Sequence, residues 1–491
     1  MLLHNNLFID HKWIESKGGK KGKVLNPATN EVLGEITLAD APDVTLAVET
    51  ASQAFEKGLW HKKPLLERSA ILNRVGDLIT KNAEELSQIE TADVGKPITE
   101  SRNIDIPSSA DTFHYFANLM SDIGGEVIPS AIPDIMDYTV HEPLGVVAAI
   151  TPWNFPFLIA SRKLASALAA GNSVVIKPSS LAPFSTLRLM DLLTDAGVPE
   201  GVVNAITGSG GIIGEALTTL PQVQDISFTG STEVGKTLMS CCSENLKGVG
   251  LELGGKSPAL VLPDANLQET LDGILFGIFL NQGECCCAAT RILVHKDIYD
   301  RFVPELVSAT KALRVGLPRE EKTQMGPLVS QEHLETVLNY IEDGKKAGAR
   351  LLCGGNRLKK GVLNKGNFVS PAIFAEVSRD MRIFQEEIFG PVAVVTKCSG
   401  IEEMVALAND SIYGLAASIW TNNLKEGHRI ASRLKSGTVW MNLHNFVMPM
   451  GPYGGYKMSG LGRELGREGV LALMQTKNVM VNLMEKPFKW Y

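Results

Sequence analysis

From Leu144 onward the chain alternates short, unbroken apolar runs with amphipathic stretches, and few folds accept that alternation. The runs 145–151 (GVVAAIT), 173–177 (SVVIK), 202–206 (VVNAI), 224–229 (QDISFT) and 248–253 (GVGLEL) lack the polar alternation of a half-exposed strand. Strands buried on both faces read this way, and the segments 156–170 and 183–196 between them supply the covering helices. A second block begins near residue 254 and repeats the pattern through 257–263, 290–295, 391–396 and 437–442. The predicted fold class is therefore α/β, with two Rossmann-like open parallel-sheet domains.

A chain of 491 residues exceeds what one hydrophobic core usually serves, so more than one domain is expected. Residues 7–35 alternate apolar pairs with turn residues, as a small antiparallel sheet does, and helical periodicity follows over 42–56 and 65–91. Residues 124–143 carry Gly124, Gly125, Pro129 and Pro133 in mixed strand material and read as an extended β ribbon. The tail 479–484 (VMVNLM) is a further exposed strand. Unpaired strands invite pairing with another chain, so a homo-oligomer is expected.

Composition removes several function classes. The formal charge of -7 and the lack of a Lys/Arg block with interleaved aromatics argue against nucleic acid as a partner. No apolar run reaches the roughly 18 residues of a membrane span, and Met1–Asn6 has no leader pattern, so no membrane partner and a cytoplasmic location are expected. The seven cysteines are too few and too oddly spaced for a disulfide framework and are expected to be free thiols. No CxxC pair accompanies Cys285, Cys286 and Cys287, so no metal site is expected.

Five places carry chemistry. The run Asn281-Gln282-Gly283-Glu284-Cys285-Cys286-Cys287 offers a thiol nucleophile, and Glu252-Leu253-Gly254-Gly255-Lys256 offers a carboxylate able to activate water. Core packing is the competing reading for any one of these cysteines. At Phe228-Thr229-Gly230-Ser231 a strand ends in a glycine turn that opens a helix, a place suited to phosphate or to plain helix capping. Lys177-Pro178-Ser179-Ser180 sets a cation and hydroxyls at the carboxyl edge of the sheet, where ligands bind in open α/β folds. In Thr151-Pro152-Trp153-Asn154-Phe155-Pro156 the amide is able to donate to a developing oxyanion.

With Glu387-Ile388-Phe389-Gly390-Pro391 and Gly454-Gly455-Tyr456-Lys457 added in order, the chain resembles the aldehyde dehydrogenase superfamily nearly from end to end. The resemblance implies NAD or NADP as cofactor, a small aldehyde as substrate, and a homodimer or homotetramer. It divides the chain into an NAD(P)-binding domain (1–123 and 144–253), a catalytic domain (254–470), and an oligomerisation ribbon and tail (124–143 and 471–491). It makes Cys286 the nucleophile, three residues after the motif glycine, Glu252 the base, and Asn154 the oxyanion donor, with Lys163 and Glu464 assisting proton transfer. It places Trp153, Lys177, Ser180, Gly208, Gly230, Ser231, Glu387 and Phe389 around the cofactor, and Phe155, Arg162 and Tyr453 around the substrate. Glu252 also separates this chain from subgroups that release acyl-CoA.

Two positions depart from the family pattern. Ser180 stands where NAD-preferring members carry glutamate, which removes a repulsion against the 2′-phosphate of NADP. Glu284 replaces the usual glutamine and is expected to set a negative charge near Cys286 that disfavours the thiolate. The closing Lys486-Pro487-Phe488-Lys489-Trp490-Tyr491 is similar to betaine-aldehyde and aminoaldehyde dehydrogenases, whose substrates are cationic. Arg162, where those enzymes commonly have tryptophan, instead suits an acidic or hydroxylated aldehyde. A cofactor-independent thiol esterase and an inactive structural homologue are the readings from other classes.

Overall fold

The computed structural model describes residues 4–486 and Trp490. Most of the closing motif, at Pro487, Phe488, Lys489 and Tyr491, lies outside the described residues, as do Met1, Leu2 and Leu3.

The five apolar runs of the first block form the parallel body of an eight-stranded sheet: Val146–Ile150, Ser173–Lys177, Val203–Ala205, Val223–Thr229 and Gly248–Glu252. Val146–Ile150 lies between Ser173–Lys177 and Val223–Thr229, so strand order reverses beside it. A crevice opens at the carboxyl ends of strands at such a reversal, and Asn154, Lys177, Ser231 and Glu252 all follow or end these strands. Helices Pro156–Ala170 and Phe184–Ala196 cover the sheet as expected, each closed by a left-handed glycine, Gly171 (φ 99°) and Gly197 (φ 97°).

The second sheet has seven strands in the order Arg350–Cys353, Ala372–Ala375, Val392–Cys398, Arg291–His295, Pro258–Val261, Ala416–Trp420 and Thr438–Met441. All neighbours are parallel except the first pair. Three of these strands, Arg350–Cys353, Ala372–Ala375 and Ala416–Trp420, are additional to the four expected. The last two are alanine-rich and fully buried, so burial rather than β-branching sets them.

Three local expectations are corrected. Residues 7–35 do not make one sheet: Leu7–Ile9 and Lys12–Ile14 extend the large sheet through Phe8 opposite Ala205, while Lys21–Leu25 and Val32–Thr37 pair separately. The helix over 65–91 is two helices, Leu65–Lys81 and Ala83–Val94, because Asn82 leaves helical geometry (φ -102°, ψ 17°) and its amide side chain bonds the Leu78 carbonyl. The tail strand is not unpaired. Met474–Asn482 runs antiparallel to Ile135–Pro143 along its whole length, with Val127–Ile128 on the other side. Its outer edge and that of Val127–Ile128 are the edges this three-stranded sheet leaves open.

One short strand matters for the site. Gly460–Leu461 returns from the second block to pair antiparallel with Leu251–Glu252, which brings the segment around Glu464 against Glu252. Among the described residues no helix is long and apolar enough to cross a membrane.

Candidate active site

The loop that carries the three adjacent cysteines begins with backbone that side chains ordinarily avoid. Asn281 (φ 50°), Gln282 (φ 58°) and Gly283 (φ 76°) are three successive left-handed residues, a conformation costing most side chains about 1 kcal/mol or more. Neighbours hold it. The Asn281 N–H donates to the Glu100 carboxyl at 2.8 Å, its amide donates to the Asn154 carbonyl at 2.7 Å, and a Cβ on Gly283 would meet the Gly390 carbonyl at 2.4 Å. The three cysteines follow. Cys285 and Cys287 are buried with their sulfurs 3.5 Å apart, whereas Cys286 is half-buried and its sulfur lies 3.7 Å from the Tyr453 hydroxyl.

Two cavities meet at Cys286. One, of about 240 Å³, is walled by Trp153, Asn154, Gly230, Ser231, Glu387 and Phe389. The other, of about 80 Å³, is walled by Phe155, Arg162, Leu280 and Tyr453 together with Asp105 and Ser108. Cys286 and Glu252 line both. Sulfur and carboxyl thus stand where two approaches converge, a position core packing does not require.

The larger cavity has the donor set of a dinucleotide site. Ser231 caps helix Thr232–Cys242, its hydroxyl accepting from the Val234 N–H at 3.4 Å, so the outward N–H groups of an eleven-residue helix face the crevice. Glu387 accepts from the Gly255 N–H at 2.9 Å, and burial holds its carboxyl up at about 8. Trp153 and Phe389 pack edge to face with ring centroids 5.3 Å apart. At the adjoining strand ends Lys177 is brought down to about 8 by burial, its ammonium bonding the Pro178 carbonyl at 3.2 Å. Ser180 donates to the Gly208 carbonyl at 3.0 Å, which ties the two glycine- and serine-bearing turns together. The residues present fit NAD(P).

Glu252 and Lys163 are buried, and Glu464 is half-buried. Glu252 has one carboxyl oxygen without a hydrogen-bond partner, and burial with the Glu464 charge raises its carboxyl well above the usual range. Lys163 pairs with Glu464 and donates to the Ser227 hydroxyl at 2.8 Å. For the Cys286 thiol the hydrogen bond with Cys285 acts downward, but the bond with Cys287 and burial outweigh it and push the thiol up to about 12. The Asn154 amide donates to the Glu284 carbonyl at 2.9 Å, and an amide has a second N–H.

Glu284 does not set its carboxyl against the Cys286 sulfur. Its carboxyl is fully buried, accepts from the Val329 N–H at 2.9 Å and from Gln282 at 3.3 Å, and is raised well above the carboxylate range by burial. Held in that nest, the carboxyl faces Val329 and Gln282 rather than the Cys286 sulfur. His333 was not visible to sequence reasoning. It bonds the carbonyl of Phe389, itself left-handed at φ 58°, at 2.6 Å and packs against Trp153 at 5.3 Å, fixing two walls of the larger cavity. A lone histidine in a helix gives no signal for such a role.

The Aldehyde dehydrogenase family model matches residues 13–479. Retinaldehyde dehydrogenase 3 of Homo sapiens is 43% identical over 98% of this chain and 93% of its own length. Betaine aldehyde dehydrogenase of Bacillus subtilis is 41% identical over 100% of both chains. The solved NAD+ complex of an aldehyde dehydrogenase from Bacillus cereus superposes with a TM-score of 0.95 at 42% identity, covering 98% of this chain and 97% of the other. A thiol and a carboxyl shared by two cavities, a dinucleotide crevice and end-to-end similarity agree: the chain belongs to the aldehyde dehydrogenase family, NAD(P)-using oxidoreductases that act on aldehydes.

Proposed function

We propose that the protein oxidises an acidic or hydroxylated aldehyde to its carboxylate by covalent catalysis at Cys286, with hydrolytic release by Glu252. The observation that carries this is the position of both residues on the two cavities at once. The Cys286 thiol gives its proton to solvent, the sulfur adds to the aldehyde carbon as the carbonyl electron pair moves to oxygen, and the Asn154 amide with the Cys286 N–H steadies the oxyanion. Preorganised donors of this kind are worth roughly 3–4 kcal/mol each. The chemistry a bound nicotinamide supplies is hydride acceptance, with Trp153, Ser231, Glu387 and Phe389 holding the cofactor and Lys177 and Ser180 reaching its adenosine end. Glu252 then takes a proton from water as the oxygen attacks the thioester carbon, and Lys163 and Glu464 set its charge environment. Following NAD(P)H absorbance over a panel of aldehydes, beside an ester-cleavage assay, tests the reading. Ester cleavage without any absorbance change would favour a thiol esterase instead.

The substrate class rests on Arg162. Its guanidinium lines the smaller cavity half-buried, and among the described residues it has no salt-bridge partner. Asp105, on the same cavity, feels the Arg162 charge but is ion-paired with Lys96, so the half-buried guanidinium keeps capacity for an anionic or hydroxylated group. The second reading, a cationic betaine-type or amino aldehyde, is favoured by the similarity to betaine aldehyde dehydrogenase. Relatives of nearly equal identity are named for quite different aldehydes, so identity does not choose between them. Arg162→Trp is expected to cut kcat/KM for acidic aldehydes roughly tenfold to a hundredfold, the worth of a hydrogen bond to a charged group, and to raise it for cationic ones. An unchanged preference removes Arg162 from substrate recognition.

For the cofactor, Ser180 sets no carboxylate against a 2′-phosphate, so both NAD and NADP are accepted in this reading. Ser180→Glu is expected to raise KM for NADP about tenfold or more through like-charge repulsion, with NAD little affected. Equal KM values for NADP before and after the change would place the ribose elsewhere. The open edges of the three-stranded ribbon, with Val127 and Met480 exposed, support assembly as a homodimer or homotetramer.

A further inference from the structure

A third cavity, of about 230 Å³, also reaches Glu252. Asp225, Ser227, Gly248, Gly462 and Glu464 are among its walls, and none of these lines the cofactor cleft. Asp225 and Ser227 are two apart on strand Val223–Thr229 and so share a face. Asp225 is buried, and among the described residues its Oδ1 has no hydrogen-bond partner. Its Oδ2 lies beside Gly248, where a Cβ would stand only 2.2 Å away. Leaving a buried carboxyl oxygen unpaired is costly, and a cavity of this size holds several waters at about 30 Å³ each.

The hydrolytic reading makes a demand on this region. When water attacks the thioester, its oxygen bonds the acyl carbon and its proton passes to Glu252. The carbon–sulfur bond then breaks with its electron pair on Cys286. Glu252 is left holding a proton that must leave before another cycle, and it is buried. We propose that this proton leaves through the third cavity, with Asp225 as the group that passes it from the interior to solvent at Gly248.

The surroundings suit that task. Lys163, from helix Pro156–Ala170, and Glu464 bracket the passage, with Ser227 bridging them through bonds of 2.8 Å and 3.4 Å. The groups facing Asp225 are Lys163 and, from helix Thr232–Cys242, the Cys242 thiol. Burial raises Asp225 against the pull of Lys163 to about 6, where a carboxyl both takes and gives a proton near neutrality. Asp225 does not touch the reacting atoms and acts through the cavity.

The proposal rests on the hydrolytic reading, and rapid mixing with a pH-indicator dye separates the two. In Asp225→Asn, first-turnover NAD(P)H is expected to form at the wild-type rate. Proton release and later turnovers slow, by less than the roughly 100-fold of a group that touches the reacting atoms. Raising the concentration of a small buffer such as imidazole restores the rate. Gly248→Ala keeps the carboxyl but displaces it, and a weaker form of the same pattern is expected, which guards against misfolding of the first variant. Coincident NAD(P)H and proton release at wild-type rates in both variants, or a loss that buffer does not restore, overturns the route. Absence of NAD(P)H formation in the unaltered protein with every aldehyde would instead sink the proposed function.

Discussion

Cys286→Ala is expected to abolish aldehyde oxidation and ester cleavage alike, while NAD(P) still binds. Removal of the nucleophile in a covalent acyl-transfer machine lowers kcat by a factor on the order of 10⁶, because the remaining groups have nothing to act on. Cofactor binding persists because Ser231, Glu387, Trp153 and Phe389 form their walls without the sulfur. Cofactor fluorescence quenching and NAD(P)H absorbance, measured on one preparation, read both arms. Single alanine changes at Cys285 and Cys287 are the matched controls: both thiols are buried against one another, so those variants are expected to keep oxidising aldehydes. Retained oxidation in Cys286→Ala would overturn the assignment.

Glu252→Gln is expected to divide the reaction in two. The substitution preserves shape, and one carboxyl oxygen has no partner to lose, so the fold tolerates it. Thioester formation does not need the base, and one equivalent of NAD(P)H per site appears rapidly. Hydrolysis then slows by roughly 10²–10⁴, the usual contribution of a positioned general base. The sign of the pH dependence follows from the environment. Burial and the Glu464 charge hold the carboxyl above its ordinary range, so the base form fills as pH rises, and unaltered enzyme deacylates faster towards alkaline pH. The variant loses that rise. A variant that turns over steadily, with the same pH limb, would show that some other group activates water.

Much of this arrangement is legible in the residues, for identifiable reasons. Doubly buried parallel strands leave unbroken apolar runs, which is why Val146–Ile150 and Ser173–Lys177 can be placed within a residue. Ala416–Trp420 is as deeply buried, but three of its five residues are alanine or serine, so nothing local distinguishes it from helix. The break at Asn82 turns on one amide choosing a carbonyl four residues back, a choice the periodicity on either side conceals. Pairing of Met474–Asn482 with Ile135–Pro143 is a long-range event, and no local pattern names the partner of a strand.

The site divides the same way. Glycine turns, the thiol run and the Glu252 motif announce themselves because close approach and nucleophilicity admit few residue types. The direction of a side chain does not. Glu284 turns its carboxyl towards Val329 rather than Cys286, and only the three left-handed residues upstream explain the turn. His333 and Asp225 act through what surrounds them, and single residues outside a motif carry no mark of their surroundings.

The fastening of the nucleophile loop bears on how the chain matures. Glu100 and Asn154, which clamp Asn281, precede the thiol, but Tyr453, whose hydroxyl stands against the sulfur, follows it by 167 residues. Glu464, which charges the environment of Glu252, comes later still. A nascent polypeptide leaving the ribosome therefore displays its thiol long before the pocket around it has closed. A chain that stops before Tyr453 carries the sulfur without the hydroxyl that stands against it.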